Sequence, residues 1–482
     1  MHSYEQGDIN VISQLYCGYP RFCLHPYVTQ LFNNVAKRYG NDVCDIAYVF
    51  PNQQSVQRCI QFIHKQLGTN IDIKTQRLHN AGQCTAILFN HTIRKTVHTY
   101  WQHTGDIVSS RQAHSILENR WLPIDPITYN ILKHRIASYT TKSPNDVYLL
   151  CSGMNALSSS LRFVESLQPN KQTIQIGFSY LDTLKMQTVI SNGAYYFNSA
   201  GADELKQIEQ LLQSGCISGI FTEFPSNPLL QCIDLPAVYQ LCQKYNTVFI
   251  VDDTVASFVS ISTIQYCDIS VASLSKIFSG NGDILAGCAI INNNSKFYNQ
   301  YKSFMSTGQQ EVLYRCDADV LEYNSRDVVQ RVNQSINNAS ILVEYLKSHP
   351  LINTVNTAIS HVSGIQKLTH NILSGLFSFT IHGGELAAQT FYDNLQCCKG
   401  PGLGTNFTLV CPYTLLAHYS ELEWCESLGI SRYLIRVSCG QEDSDELIRR
   451  FDIALQSVHN VLQQQLPITT THHVQQYTDN TN

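Results

Sequence analysis

Val248-Phe249-Ile250-Val251-Asp252-Asp253-Thr254 reads as a strand with no solvent face: four consecutive apolar residues running straight into two carboxylates. A strand exposed on one side alternates apolar with polar residues, whereas one covered on both faces is apolar throughout. Immediately upstream, Leu235–Tyr245 has helical spacing. The alternation continues outward in both directions. Asp146–Cys151, Gln172–Gly177 and Ile217–Phe221 are strand candidates before this stretch, and Ile269–Ala272 and Cys288–Ile291 follow it. Helical patterns run from Gly153 through Leu161 and over Asp203–Leu212. Doubly covered strands separated by helices predict an α/β fold, a mostly parallel central sheet with helices on both faces. Ligands of such sheets bind beyond the carboxyl ends of the strands. The polar residues that follow each strand are therefore the ones to inspect.

The chain changes character on either side of this region. In the C-terminal third, Tyr433–Val437 is a strand candidate. Asp443 is placed to cap a helix, with Glu446 as its capping-box partner and Leu447, Phe451, Leu455 and Val458 as the apolar stripe. A smaller C-terminal α/β domain is expected there. The expected division is an N-terminal extension over 1–137, a large domain over 138–310, the small domain over 311–462 and a tail over 463–482. The tail is rich in Gln, Thr, His and Asn, which predicts disorder, with His472 and His473 as a solvated pair. No repeat of fixed period is present.

Composition excludes several classes. The 482 residues are 44% hydrophobic and 14% charged, with a formal net charge of −5. No cluster of Lys and Arg forms a phosphate-backbone footprint, so no nucleic-acid partner is expected. The opening Met1–Asn10 lacks the pattern of a secretory signal or a transit peptide, and no apolar run approaches the roughly 20 residues of a spanning helix. No membrane association and a cytoplasmic location are expected. In a reducing compartment the 17 cysteines read as small core hydrophobes, and their spacings suggest no metal site.

Four segments end strands and carry polar groups of complementary kinds. Ser152-Gly153-Met154 joins a strand to a helix, where glycine and a helix N-terminus favour an anion. Glu223-Phe224-Pro225-Ser226-Asn227-Pro228 has two prolines that exclude a helix and hold Asn227 on a rigid loop. Asp252 would be partly buried and would need a cationic or donor partner. Ser273-Leu274-Ser275-Lys276 places a lysine close behind an apolar strand, a setting that lowers an amine pKa and allows a Schiff base. The glycines that follow match neither a P-loop nor a GxGxxG fingerprint.

These segments together resemble the Cys/Met-metabolism family of pyridoxal 5′-phosphate (PLP) enzymes of fold type I, in its cystathionine γ-synthase branch. Six motifs appear in the family's order: Ser152–Met154, Tyr180–Thr183, Glu223–Pro228, Val251–Thr254, Ser273–Lys276 and Arg436–Glu442. Gly18–Phe22 and Lys399 through Tyr419 look like the fungal-type subgroup.

The resemblance implies a PLP cofactor with Lys276 bearing its aldehyde. Gly153, Met154, Ser273 and Ser275 would hold the phosphate. Tyr180 would stack on the ring, Asp252 would pair with the ring nitrogen and Asn227 with the ring oxygen. Arg436 would clamp the substrate carboxylate bidentately, and Ser438 would help position Lys276. Lys276, Tyr180 and Asp252 would be the catalytic groups.

The reaction implied is γ-replacement on an O-acylhomoserine by cysteine to give cystathionine. The alternatives are sulfhydrylation, a β- or γ-lyase reaction and a non-catalytic relative. Partners would be small amino-acid substrates and further copies of the chain, as a dimer or tetramer. The chain departs from the family pattern at Asp253, at Asn281 and at Leu181-Asp182, which replace two small residues. Asp182 could alter acid–base chemistry near the cofactor or cap a helix, and the cap is the expectation. For the family's Tyr-x-Arg, Tyr19-Pro20-Arg21 fits by spacing and Arg120-Trp121 by position.

Overall fold

The computed structural model describes residues 8–12, 14, 24–261, 263–307, 312–359 and 371–464. It contains three sheets. The N-terminal sheet has β1 (Ile46–Phe50), β2 (Lys74–Arg77) and β3 (Thr85–Phe89) in the order β1-β3-β2, all antiparallel. The central sheet has β4 (Val147–Leu150), β5 (Gln172–Ile176), β6 (Ala194–Phe197), β7 (Ile217–Glu223), β8 (Val248–Asp252), β9 (Ile269–Ser273) and β10 (Gly287–Ile291). Their order is β4-β10-β9-β8-β7-β5-β6, and only β10 runs against its neighbours. The third sheet has β11 (Ile352–Thr357), β12 (Leu376–Ile381), β13 (Cys398–Lys399), β14 (Leu409–Pro412) and β15 (Ile435–Ser438), in the order β11-β12-β15-β14-β13.

The apolar run in β8 is explained by its two neighbours. Phe249 and Val251 enter the cluster shared with the C-terminal sheet, while Val248 and Ile250 enter the cluster under the helix Gly153–Leu167. Alternate residues of a strand point to opposite faces, so both sets must be apolar. Each such side chain contributes roughly 1.5–3 kcal/mol on full burial. The apolar run stops where the strand leaves this sandwich, at Asp252. The large and small sheets share one continuous core, in which Val251 and Phe258 belong with Phe377, Phe379 and Phe451.

Residues 28–113 form a separate cluster around Phe50, Phe89 and Trp101. The opening segment thus has a sheet and a core of its own. It is fastened to the helix Gly153–Leu167 by a buried ion cluster: Asp106 accepts hydrogen bonds from Arg58, Tyr100 and Asn155. Burial raises the Asp106 carboxyl, but Arg58 and Arg162 outweigh it and hold the group below its ordinary value. The helix Pro126–Thr140 spans the expected division at 137 and packs on β4.

At the other end, Asp443 caps the helix Ser444–Gln464 by accepting from the Asp445 and Glu446 amides. Glu446 turns away from the cap to pair with Arg449 and Arg450, which sit three and four residues on, on the same face. The helix includes the first two residues of the expected tail; 465–482 lie outside the described residues.

Candidate active site

One cavity opens beyond the carboxyl ends of β4, β7, β8 and β9. It brings together Gly153, Met154, Tyr180, Asn227, Asp252 and Lys276. Ser273, Ser275 and Arg436 also line it, the last from β15 of the small sheet. The parallel strands explain this convergence, since each delivers its following residue to the same edge.

At one end is an anion cradle. The helix Gly153–Leu167 begins at the cavity wall, and its first intrahelical bond runs from the Ala156 amide to Ser152 O at 3.1 Å. The Gly153 and Met154 amides precede that bond and have no carbonyl of their own helix to meet. Ser152 Oγ takes the Asn155 amide at 3.0 Å and donates to Gly105 O at 2.9 Å. Glycine at 153 is required by proximity, because a Cβ there would lie 2.6 Å from Ser273 Cβ. Ser275 already exchanges hydrogen bonds with the Ala286 backbone, donating to its carbonyl and accepting from its amide. A phosphate would compete for that hydroxyl proton.

At the other end stand the ionisable groups. Asp252 Oδ1 accepts from the Thr254 amide at 3.0 Å and from Thr254 Oγ1 at 2.6 Å. The partner that burial demands is therefore Thr254. Burial still pushes the Asp252 carboxyl up to about 6. Beside it, burial and then the Asp252 charge raise Glu223 well above its ordinary value, and Glu223 Oε2 accepts the Tyr180 amide at 2.8 Å. Burial, and then the Arg436 charge, bring the Lys276 amine down to about 7. A lysine in that range is an available base and nucleophile at neutral pH.

Arg436 differs from the expected clamp. Its Nη2 donates to Pro401 O at 2.6 Å and to Gly402 O at 2.9 Å, and Nη1 donates to Asn227 Oδ1 at 3.3 Å. Its guanidinium lies over the Tyr413 ring, 4.9 Å from the centroid, and the Tyr413 hydroxyl accepts from Asn227 Nδ2 at 3.2 Å. Both bidentate faces of a guanidinium include Nη2. A two-point grip on a carboxylate therefore requires the Pro401–Gly402 carbonyls to give way.

Two expectations are corrected. Ser438 does not line the cavity; its Oγ accepts the Gly404 amide at 2.8 Å, on the far side of the loop that abuts Ile277. Asp182 is not the cap of its own helix. The helix Leu181–Lys185 has Tyr180 at its N-cap without a side-chain cap bond. Asp182 is buried, accepts from Tyr180 Oη at 2.7 Å and Gln102 Nε2 at 3.2 Å, and meets His103 Nδ1 at 2.8 Å. These side chains outcompete the amides of a five-residue helix.

Of the Tyr-x-Arg candidates, residues 19–21 lie outside the described residues. Arg120 pairs with Glu118 at the surface and Trp121 covers Gly82, both away from the cavity.

Sequence reasoning missed the wall contributed by the opening segment. Trp101, Gln102, Gly105 and Ile107 line the cavity, as does Tyr413. Gly105 has φ +64°, and a Cβ there would lie 2.6 Å from Met154 Cβ. The available signal was the run Gln102-His103-Thr104-Gly105-Asp106, polar residues around a glycine at the end of a helical pattern.

The donor set fits PLP: paired amides at a helix N-terminus for a phosphate, a buried carboxylate for a pyridinium, and a near-neutral amine for an aldehyde.

Comparison with known proteins agrees. A family model described as "Cys/Met metabolism PLP-dependent enzyme" matches residues 92–456, and one described as "Fungal trans-sulfuration enzyme, N-terminal domain" matches residues 27–109. The chain is 29% identical to a cystathionine gamma-synthase of Neurospora crassa over 94% of both chains. It is 27% identical to one of Saccharomyces cerevisiae, again over 94% of both. A cystathionine gamma synthase structure from Xanthomonas oryzae pv. oryzae, in complex with cystathionine, shares the fold with a TM-score of 0.61. That match has 20% identity and covers 70% of this chain and 87% of that one.

Proposed function

This chain belongs to the Cys/Met metabolism PLP-dependent enzyme family, and on that premise we propose that it joins an O-acylhomoserine to cysteine, displacing the acyl group at the γ-carbon to form cystathionine. The observation that carries this reading is the assembly of Lys276, Asp252 and Arg436 around one cavity, within a chain that matches fungal cystathionine gamma-synthases over 94% of its length.

PLP, when bound, supplies an electron sink conjugated to the substrate α-carbon. Gly153 and Met154 would hold its phosphate, Tyr180 its ring face, Asn227 its ring oxygen and Asp252 its ring nitrogen. Lys276 would hold its aldehyde until substrate arrives. The Asp252 carboxylate would favour a proton on the ring nitrogen, because a buried anion gains most from a cationic partner. Arg436 orients the α-carboxylate. Lys276 Nζ, near neutral pKa, takes the proton from the substrate α-carbon and returns protons as the thiol is added. Trp101, Ile107 and Leu416 wall the cavity with apolar surface, limiting water at the reacting carbons. Small amino acids are the substrates. We further propose a homo-oligomer, dimer or tetramer, and a cytoplasmic location. Among the described residues, no helix is long and apolar enough to cross a membrane.

The test is product analysis with succinyl-, acetyl- and phosphohomoserine, each supplied with cysteine and with sulfide. Cystathionine from an acyl ester plus cysteine is expected, and Lys276→Ala should abolish it. Homocysteine from sulfide as the dominant product would identify a sulfhydrylase instead.

A further inference from the structure

Asp182 joins two parts of the molecule at the cavity wall. Its Oδ2 accepts the Tyr180 hydroxyl at 2.7 Å; its Oδ1 accepts Gln102 Nε2 and faces His103 Nδ1 at 2.8 Å. Gln102 and His103 belong to the helix Arg94–Thr104 of the opening segment, whereas Tyr180 and Asp182 follow β5. Asp182 is 1% exposed, a position where a carboxylate is retained only when paired and hydrogen-bonded.

We propose that Asp182, held by His103 and Gln102, is a positioning residue that fixes the Tyr180 ring and keeps its hydroxyl protonated. An ionised carboxylate has only lone pairs to offer, so the hydrogen between the two oxygens belongs to Tyr180. The Asp182 charge then opposes formation of a second anion at Tyr180 Oη. Tyr180 enters the reaction as a neutral ring and donor and leaves proton abstraction to Lys276. By the same logic His103 carries a proton on Nδ1. The opening segment thereby sets the protonation of a residue in the cavity of its own chain. This role rests on the reading above only in taking Tyr180 as the ring-stacking group.

Other charged groups also face Tyr180. Glu223 on β7 accepts its amide, while Asp252 on β8, Lys276 after β9 and Arg436 on β15 line the same cavity, with the Tyr413 hydroxyl. All of them are retained when Asp182 alone is changed, so a difference between wild type and Asp182→Asn reports on Asp182 together with its partners His103 and Gln102. The asparagine keeps the shape, removes the charge and can present an N–H to Tyr180 Oη, which favours the phenolate.

The measurement is the pH titration of the Tyr180 ring by NMR of the full-length chain labelled with 13C at tyrosine Cζ. Tyr180→Phe identifies the signal, and spectra are taken with and without added PLP. In wild type Tyr180 should titrate above the ordinary value of about 10. Asp182→Asn should lower its midpoint by about one pH unit or more, a tenfold loss of proton affinity. A change of less than about half a unit overturns the proposal.

A second readout needs no variant. In 15N-histidine spectra of the wild type His103 should carry its proton on Nδ1, and an unprotonated Nδ1 overturns the assignment. A chain that shows both signatures but no turnover would preserve this inference and count against the proposed reaction. Turnover without the signatures would do the reverse.

Discussion

The cavity strongly alters the Lys276 amine, and its titration can be worked out in advance. An ordinary lysine side chain titrates near 10.4; burial, with a smaller push from Arg436, brings Lys276 to about 7. At ~1.36 kcal/mol per pH unit, that displacement corresponds to roughly 5 kcal/mol against the charged form. Lys276 is half-buried, so screening by solvent makes this figure an upper bound. Reaction with a trace of acetic anhydride measures the deprotonated fraction, read from the mass spectrum of the peptide that carries Lys276. About one tenth of the amine is deprotonated at pH 6 and about nine tenths at pH 8, so labelling should rise about tenfold over that span and then level off. Arg436→Gln should raise the midpoint only part of the way, because burial is the larger cause.

The linked stability has a definite sign. Between pH 7 and 10.5 the unfolded chain binds a proton that the folded chain has shed, so stability rises with pH there. Lys276→Met should therefore raise the melting temperature more at pH 6.5 than at pH 9. Labelling that keeps climbing tenfold per pH unit past pH 9 would refute this reasoning.

Three further outcomes follow from the same geometry. Asp252→Ala should retain part of the bound PLP, measured by absorbance after dialysis, while losing most of kcat. Equal loss of both would mean that Asp252 acts only in binding. Arg436→Ala would remove the proposed charged hydrogen bond to the substrate carboxylate, worth about 1.5–3 kcal/mol, and should raise KM by roughly ten- to a hundredfold in steady-state assays. Asp106→Ala strands Arg58 in the interface between the opening segment and the helix Gly153–Leu167. Breaking a buried pair costs about 3–5 kcal/mol, so thermal unfolding should begin well below that of the wild type. The Asp106 carboxyl sits below its ordinary value, so its contribution is present above the unfolded-state pKa near 3.9 and fades as pH falls.

The central sheet was legible because burial on both faces leaves a local trace. Leu235–Tyr245 forms a helix over the expected residues, and the strand expected at Val248–Val251 gains only Asp252. The half-buried edge strand Ala194–Phe197 and the mostly exposed β2 carry no such trace and were not anticipated. Tyr433 and Leu434 looked like strand but form a turn, with the Leu434 amide bonded to Ser431 O at 3.1 Å. In the site, Asp252 and Lys276 were readable because each lies at or just after the end of a strand that reaches the cavity, whereas Arg436 followed only from the family resemblance. Gln102 and His103 were not, because their partner Asp182 is about eighty positions away and no spacing rule spans that distance. Asp182 was misjudged for the same reason: a local cap was the only partner the sequence could offer it.

The claim on which the whole account depends is that Lys276 is the residue joined to the cofactor. Borohydride reduction of the purified, PLP-supplemented full-length chain, followed by peptide mass spectrometry, reads this directly, since the hydride fixes the carbon–nitrogen bond where it stands. One phosphopyridoxyl group per chain, on Lys276, is the expected result. A label on another lysine, or none on a folded chain, would contradict it.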